Sequence, residues 1–528
     1  MASGQPSPRK YGRPKSFSFV SRRQSALRLY SSSTSQEYDE PKRIAYVENI
    51  SGDFEKQSHA WDKFLKAYPY IEAVLKRKST GGQEEEDTAP VAGWTVKEAK
   101  DALCYALMKW KYVYEVKTSN AAQKKYADNI DARTGRFQSL YRLLRGGNRA
   151  AAGSSKDTPK RQLPKPIVKQ LSKLIRQGIP PKYRGKIWQL CAGSDQKREE
   201  GLDCGQTYER LNRIIQQNED LFPNQSWIDI DKDVRRTVLL LQNGEQYPDD
   251  LRPCLQRVLV TYALRNPELG YCQGMSTVVA LLLLHMDEES AFWVLSAMIE
   301  DMMPRFYATD MGGVKTEAAT FEFLVQTYLP KVYSRISPLG VPVKPFAIKW
   351  FLCLYLNSLS VSIAVRVWDC FFHEGVKVLH RIGLAALHLK EPEIVNSDAQ
   401  FGSIYESVDK ATIECTDAEA LFRAAYGTMF MGRNFSSKML LKVRRHVLKH
   451  DRDFFSGRSS KEVDRDALEK LSCQSPSSLR YRSRMTSKCS VGSLADEIIE
   501  EEEEEDEGNT RVEEGNGKDG AGDEGVAP

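Results

Sequence analysis

The sequence has few features that would place it outside the cell or across a membrane. Its ten cysteines include no Cys-x-x-Cys pair and no regular spacing, which argues against a disulfide framework or a zinc module. The longest apolar run, 278–284, is far shorter than the about 20 residues of a membrane-spanning helix. The basic N-terminal stretch lacks an apolar segment, so we find no secretory signal. These absences favour a cytoplasmic protein with free thiols.

Signals for β-structure are also scarce. Asn243-Gly244 is the one obvious hairpin dipeptide, and the residues on either side of it do not alternate between apolar and polar. Apolar residues instead recur at three- and four-residue intervals through most of the middle of the chain. We therefore predict an all-α protein.

Charge is unevenly distributed, although the formal net charge is only +5. Residues 1–36 carry seven Lys or Arg and no acid, and residues 496–507 carry ten acids in twelve positions. Such segments bury little apolar surface, so we predict disordered tails over 1–52 and 456–528. Between the tails we predict a helical region without an assigned role (53–146), a linker (147–164) and a larger helical domain (165–455).

Three helices are predicted in the region 53–146. The first contains Trp61 and Leu75, and Pro69 is expected to kink it. The second begins after Thr95, which forms a capping box with Glu98, and extends through Val113. The third covers 136–144.

The first of four motifs opens the larger domain. It runs from Arg176 through Gly178, Ile179 and Pro180 to Arg184 and Trp188. Gly178 stands where a helix C-cap is expected, and the prolines end one helix and begin the next. We interpret the motif as a helix junction that stabilises the fold, with Trp188 in the core and Arg184 in an ion pair at the surface.

A second structural motif, Trp368-Asp369-Cys370-Phe371-Phe372, is followed by Gly375. We predict that Trp368 packs in the core and that Asp369 caps a helix or forms a salt bridge. His373 and His380 lie near it in the sequence, but their apolar surroundings favour helix packing. We predict no metal site.

Two further motifs each carry a side chain suited to phosphate chemistry. One is Ile230-x-x-Asp233-x-x-Arg236, and the other places Gln273 shortly after a tyrosine and between two glycines. A guanidinium stays charged and matches phosphate geometry, and a carboxamide both donates and accepts hydrogen bonds. Taken alone, an arginine three residues after an aspartate is typical of a helix-surface ion pair.

These two motifs can meet, although 37 residues separate Arg236 from Gln273. A helix over 251–264 would carry the chain about 20 Å. A non-helical stretch over 238–250 would be long enough to run back along it. Both side chains could therefore lie on one face.

The order and spacing of the four motifs, from Arg176 to Gly375, resemble the TBC family of GTPase-activating proteins for Rab-type small GTPases. The resemblance implies a two-lobed helical TBC domain in which Arg236 is an arginine finger and Gln273 is a glutamine finger. The supporting positions would be Ile230, Asp233, Thr237, Gly270, Tyr271 and Gly274. The fold-anchoring positions would be Arg176, Gly178, Pro180, Arg184, Trp188, Trp368 and Asp369.

The partner implied by the resemblance is a GTP-loaded Rab-type GTPase, and the process is vesicle trafficking. The chain would be an enzyme only in the sense that it completes the GTPase active site, and it would need no cofactor because Mg²⁺ and GTP come with the GTPase. A non-catalytic binder of the same partner is the alternative, and the presence of both Arg236 and Gln273 favours the activator. Many family members have an aromatic residue and a proline where this chain has Val238-Leu239, which bears on substrate choice.

The distribution of charge bears on two other classes of partner, nucleic acids and membranes. Nucleic acid is not predicted, because no recognised binding module accompanies the basic N-terminus. The helix 436–450 is basic on one side, with Lys438, Lys442, Arg444, Arg445 and Lys449. We favour a packed helix with a solvated basic face, while peripheral contact with an acidic membrane stays open. Cytoplasmic location, with recruitment to endomembranes as the open alternative, is the corresponding prediction.

Overall fold

The computed structural model describes Val47 and residues 55–77, 91–108, 162–217, 225–240, 251–398, 400–427 and 435–450. Within these ranges every regular element is helical, and the only β pairing is an isolated bridge between Val91 and Trp94. The all-α prediction is therefore confirmed. Apart from Val47, both predicted tails lie outside the described residues, as do most of the predicted linker and the predicted helix 136–144.

The first eleven α-helices extend from the N-terminal region to the middle of the chain. They are α1 (Glu55–Ala67), α2 (Pro69–Lys76), α3 (Val96–Leu107), α4 (Lys165–Gln177), α5 (Pro181–Ala192), α6 (Ser194–Asp203), α7 (Tyr208–Gln217), α8 (Gln225–Leu240), α9 (Leu251–Arg265), α10 (Met275–His285) and α11 (Glu288–Ala297). A π-helical turn, Met298–Met302, continues α11.

The remaining helices follow a loop at 303–311. They are α12 (Gly312–Tyr328), α13 (Pro330–Ile336), α14 (Val343–Leu352), α15 (Val361–Glu374), α16 (Lys377–Leu389), α17 (Glu391–Asn396), α18 (Phe401–Ile413), α19 (Ala418–Tyr426) and α20 (Ser437–His450). A short 3₁₀ turn, Ser337–Leu339, follows α13.

The helices pack as two groups joined through α5 and α15. In the first group α9 lies against α7, α8, α10 and α11, and α6 packs on α11. In the second group α12 lies against α13, α14 and α20, while α16 contacts α18 and α19. Helix α15 packs on α4, α5 and α16, and α5 in turn packs on α6, α10 and α11. This division is the two-lobed arrangement that the family resemblance implies.

The N-terminal helices confirm one predicted local feature and correct another. Pro69 separates α1 from α2 by standing at the first position of α2, so it breaks the predicted helix instead of kinking it. The predicted capping box is present, since the Glu98 backbone N–H donates to Thr95 Oγ1 at 3.2 Å and the Thr95 N–H donates to Glu98 Oε2 at 2.9 Å. The continuation of this helix past Met108 lies outside the described residues.

Helices α1 to α3 share their core with the larger domain. The buried Trp61 indole donates to the carbonyl oxygen of Gly178 at 3.0 Å, and its ring lies 6.5 Å from that of Tyr183. Helices α2 and α3 both pack on α5. The N-terminal helices therefore cover the junction between α4 and α5.

The α4–α5 junction is built around a buried carboxylate. Asp369 on α15 accepts hydrogen bonds from the Ile179 backbone N–H at 2.9 Å, from Arg184 Nε at 3.1 Å and from Trp188 Nε1 at 2.9 Å. Burial raises the pKa of Asp369 above its ordinary value, and the charge of Arg184 opposes that shift. The predicted surface position of Arg184 is wrong, because its side chain is fully buried in this ion pair.

The other junction residues surround this ion pair. Gly178 ends α4 with a φ of 115°, a left-handed value that favours glycine, and Pro180 stands at the N-cap of α5. The ring of Trp188 lies 5.6 Å from that of the buried Trp368. Arg176 Nε donates to the buried carboxylate of Glu374 at 2.7 Å.

Helix α10 is apolar nearly all round, and every one of its residues is buried. Its last residue, His285, lies 4.7 Å from the ring of Trp188, and its Nε2 finds no hydrogen-bond partner among the described residues. Burial lowers the pKa of His285 well below the usual value, and the nearby Arg184 charge adds to the effect. Burial likewise lowers the pKa of His380, despite its bond to Glu317.

The lowered pKa values of His285 and His380 predict that the stability of the fold decreases in mild acid. Below about pH 6.5 the unfolded chain binds protons on these imidazoles, whereas burial makes protonation less favourable in the folded protein. The free energy of unfolding should therefore decrease from about pH 7 to about pH 5, by up to about 1.4 kcal/mol per pH unit for each imidazole. Urea denaturation at several pH values measures the slope. His285→Phe should make this slope shallower. The control is His59→Gln, at an exposed position of α1, which should leave the slope unchanged. Equal slopes in the two variants would contradict the prediction.

Helix α20 is packed as predicted, but its basic face is only partly solvated. It lies on α12, where the buried Arg444 Nε stands 2.8 Å from Glu317 Oε1. Burial acts to raise the pKa of Glu317, but the Arg444 charge and the His380 hydrogen bond outweigh it and lower the pKa to about 2. Assigning Arg444 to the solvated face is therefore wrong, while Arg445 is exposed. The side chains of Lys438 and Lys449 are not among those described.

Several helices were not expected from the sequence, among them α6, α13, α16, α17 and α18. Helix α6 is mostly polar, and it is held by Lys197, whose Nζ stands 2.8 Å from Asp301 Oδ2. Apolar spacing in the sequence also predicts a helix over 345–357. This helix ends instead at Leu352, because Leu354 and Tyr355 adopt positive φ. None of the described helices is both long and apolar enough to span a bilayer. Cellular location stays a prediction.

Candidate functional site

Helix α8 presents the first phosphate-directed motif. Ile230, Val234 and Thr237 are buried against the domain, while Arg235 and Arg236 are exposed. Each cation of the motif pairs with an acid about one turn earlier. The pairs are Lys232–Asp229 at 3.2 Å, Arg235–Asp231 at 3.2 Å and Arg236–Asp233 at 2.9 Å. The Arg236 side chain is 52% exposed, which leaves part of its guanidinium open to a partner.

The second motif forms the loop between α9 and α10. Its backbone turns where Gly270 has a φ of 63° and Gly274 a φ of 102°. Both values are left-handed, so a side chain at either position would be strained. Gln273 stands on the turn between them and is exposed, and the amide has no hydrogen bond to any other described residue.

Asp233 joins the two motifs. Its Oδ2 accepts a hydrogen bond of 2.7 Å from the Tyr271 hydroxyl, and its Oδ1 pairs with Arg236. A second link joins Thr237 Oγ1 and Ser276 Oγ at 2.8 Å. Arg236 therefore belongs to one hydrogen-bonded cluster, Gln273 lies two residues after its member Tyr271, and neither is buried.

The electrostatics of the cluster limit what it can do chemically. Burial and the hydrogen bond to Asp233 raise the pKa of Tyr271 above its ordinary value, so its hydroxyl is a neutral donor at physiological pH. Burial raises the pKa of the Cys272 thiol to about 11, which disfavours the nucleophilic thiolate. No cluster of His, Cys, Asp or Glu in the described ranges has the arrangement of a metal site. The groups offered to a partner are a cation and an amide.

The family model of the Rab-GTPase-TBC domain matches residues 181–395. Residues 181–395 are a TBC domain. The match includes α8, the α9–α10 loop and α15, and therefore Arg236, Gln273 and Asp369. Helices α1 to α4 precede the matched TBC residues, and α18 to α20 follow them.

The match to curated relatives covers only part of the length of each relative. Small G protein signaling modulator 3 of Homo sapiens is 32% identical over 261 residues, which are 49% of this chain and 34% of that protein. TBC1 domain family member 2B of Homo sapiens is 29% identical over 265 residues, which are 49% of this chain and 27% of that protein. The chain thus matches about a third or less of each of these relatives.

A solved structure also resembles this TBC domain. The Chlamydomonas flagellar RabGAP TBC domain is 26% identical, covers 58% of this chain and 96% of its own, and superposes with a TM-score of 0.43.

Several contacts of the TBC domain site were not foreseen from the sequence. Ser276, which pairs with Thr237, has no distinguishing sequence signal, and the Asp233–Tyr271 bond joins motifs far apart in the chain. Helix α8 continues to Leu240, so the prediction of a non-helical stretch from 238 is wrong for its first residues. Residues 241–250 and the side chains of Val238 and Leu239 are outside the described part.

Proposed function

We propose that the TBC domain accelerates GTP hydrolysis by a Rab-type small GTPase, with Arg236 as the arginine finger and Gln273 as the glutamine finger. The observation that carries this proposal is the cluster around Asp233, which connects the exposed guanidinium to the loop of the exposed amide. A cation and an amide that flank one point can reach one bound nucleotide of a partner.

Arg236 would stabilise the charge that develops on the γ-phosphoryl group. An arginine supplied in trans is worth about 10³–10⁵ in rate. Asp233 keeps the guanidinium in place before binding, and the phosphoryl oxygens would replace the carboxylate when the partner docks. The exposure of this arginine makes the exchange accessible.

Gln273 would orient the attacking water. Its carboxamide can accept a hydrogen bond from the water and donate one to a phosphoryl oxygen. The free amide supports this role, since within the described part of the chain it is not used to stabilise the fold. The left-handed glycines at 270 and 274 hold the backbone that presents it.

A non-catalytic binder of GTP-loaded Rab is the second candidate. Such a module needs shape and charge complementarity, but it has no need for an exposed amide on a loop bonded to an exposed arginine's ion pair. The pairing of these two groups across Asp233 and Tyr271 therefore favours the activator.

Single-turnover GTP hydrolysis by a panel of Rab-type GTPases tests the proposal. We expect the full chain to accelerate at least one of them by about 10³-fold or more, and a small GTPase of another family serves as the specificity control. Binding of the same panel, loaded with a non-hydrolysable GTP analogue, is measured in parallel. Binding without acceleration would support the second candidate, and neither binding nor acceleration across the panel would contradict both.

A further inference from the structure

The turn that follows α14 has an unusual backbone. Leu354 has a φ of 49° and Tyr355 a φ of 69°. Both are fully buried. Left-handed φ values are unfavourable for residues that carry a Cβ, and such residues persist where the surrounding structure over-determines them, often at functional sites.

Several hydrogen bonds fix this turn, among them three from side chains. The Tyr355 N–H donates to the Trp350 carbonyl at 2.7 Å, and the Tyr355 hydroxyl donates to Leu379 O at 2.7 Å. The Trp368 indole donates to Leu354 O at 3.1 Å. From the loop 303–311, the buried Tyr307 hydroxyl donates to Leu352 O at 2.8 Å.

The turn lies directly behind the glutamine loop. A Cβ built on Gly274 would stand 3.4 Å from the Leu352 carbonyl oxygen and 3.4 Å from Cys353 Sγ. Gly274 therefore packs against residues 352–353, and it is the residue immediately after Gln273. The Leu352 carbonyl is thus bonded by Tyr307 and in contact with the loop that carries the proposed finger.

We propose that residues 352–355, here named the backing turn, set the position of Gln273, and that Tyr307 is the positioning residue that holds the backing turn in place. This inference rests on the proposed function, because it assigns a catalytic consequence to the placement of Gln273.

The geometry gives Tyr307 one specific task. Its hydroxyl donates to the Leu352 carbonyl oxygen, which also lies against Gly274, so the bond fixes the orientation of this carbonyl beside the loop. Burial raises the pKa of Tyr307 well above its ordinary value, so the hydroxyl remains a donor. Without this donor the peptide at Leu352 can rotate. Gly274 can then change its own backbone conformation, because glycine has no side chain that would oppose the change.

Tyr307→Phe removes the hydroxyl and keeps the ring that packs 5.6 Å from Phe306. We expect kcat for stimulated hydrolysis to fall about 10- to 100-fold, since small misplacements of catalytic groups have effects of that order. KM for the GTP-loaded GTPase should not change. The matched control is Tyr208→Phe, which removes a buried tyrosine's bond to Glu288 at the contact between α7 and α11, and it should leave kcat unchanged.

Combined variants distinguish positioning from general destabilisation. In a Gln273→Ala background Tyr307→Phe should have no further effect, because no amide remains to be misplaced. In an Arg236→Lys background its effect should persist at full size. A full-size effect in the Gln273→Ala background, or an unchanged kcat in the single variant, would overturn the inference.

Hydrogen–deuterium exchange provides a readout that needs no GTPase. Amides of residues 270–276 should exchange faster in Tyr307→Phe and at the original rate in Tyr208→Phe. Unchanged exchange in Tyr307→Phe overturns the inference whatever the activity of the chain. Faster exchange together with no acceleration of any GTPase would support the link between the backing turn and the loop while rejecting the proposed function.

Discussion

Replacing Arg236 with alanine is expected to lower the stimulated rate of GTP hydrolysis by about 10³-fold or more. The guanidinium is the only positive group that the two-motif cluster around Asp233 offers among the described residues. Because Arg236 is half exposed and contributes little to the core, the fold should be retained, and far-UV circular dichroism checks this. Affinity for the GTP-loaded partner should fall much less than the rate, since the charge acts mainly in the transition state.

The neighbouring arginine provides a matched control. Arg235 is exposed on the same helix and pairs with Asp231 just as Arg236 pairs with Asp233, so Arg235→Ala removes an equivalent surface charge. It should keep nearly the full rate. Arg236→Lys should give an intermediate loss, because lysine keeps the charge without the fork. Equal rates for the wild type and Arg236→Ala would exclude the arginine finger.

Replacing Asp369 with alanine is expected to cost about 3–5 kcal/mol of folding free energy. The substitution leaves the Arg184 guanidinium fully buried without its counter-ion. It also removes the acceptor for the Ile179 N–H and the Trp188 indole, at the point where α4, α5 and α15 meet. Chemical denaturation followed by circular dichroism measures the loss.

Two further variants test the cause of this loss. Asp62→Ala removes an acid whose partner Lys182 is as exposed as Asp62 itself, and it should change stability by less than about 1 kcal/mol. Removing both charges with Asp369→Leu and Arg184→Met should cost less than Asp369→Ala alone, because no unpaired charge stays buried. A double variant whose loss equals the sum of the single losses would contradict this explanation.

The helices could be predicted where apolar spacing agrees with local signals for a helix start or end. Gly178 and the two prolines after it mark the α4–α5 junction, and Thr95 with Glu98 marks the start of α3. The same reasoning missed α6, because that helix depends on ion pairs such as Lys197–Asp301 that join distant parts of the chain. It also extended α14 too far, because apolar spacing continues through residues whose backbone turns left-handed.

The candidate site could also be predicted only in part from the sequence. The family motifs identify Arg236 and Gln273 from the sequence, and their catalytic roles stay proposals. What joins the motifs could not be read from either one, since the Tyr271 hydroxyl reaches Asp233 across a separation of 38 residues. The burial of Arg184 was missed for a related reason, because a lone arginine is ordinarily a surface residue and its counter-ion comes from α15.

The three ion pairs along α8 have a consequence for how a partner arrives. Each exposed cation of the helix is neutralised by an acid of the same helix, so this surface projects little net field into solution. Long-range attraction then contributes little to diffusional encounter, and association should depend only weakly on ionic strength. The charge of Arg236 becomes available only at contact, when a competing anion draws it from Asp233.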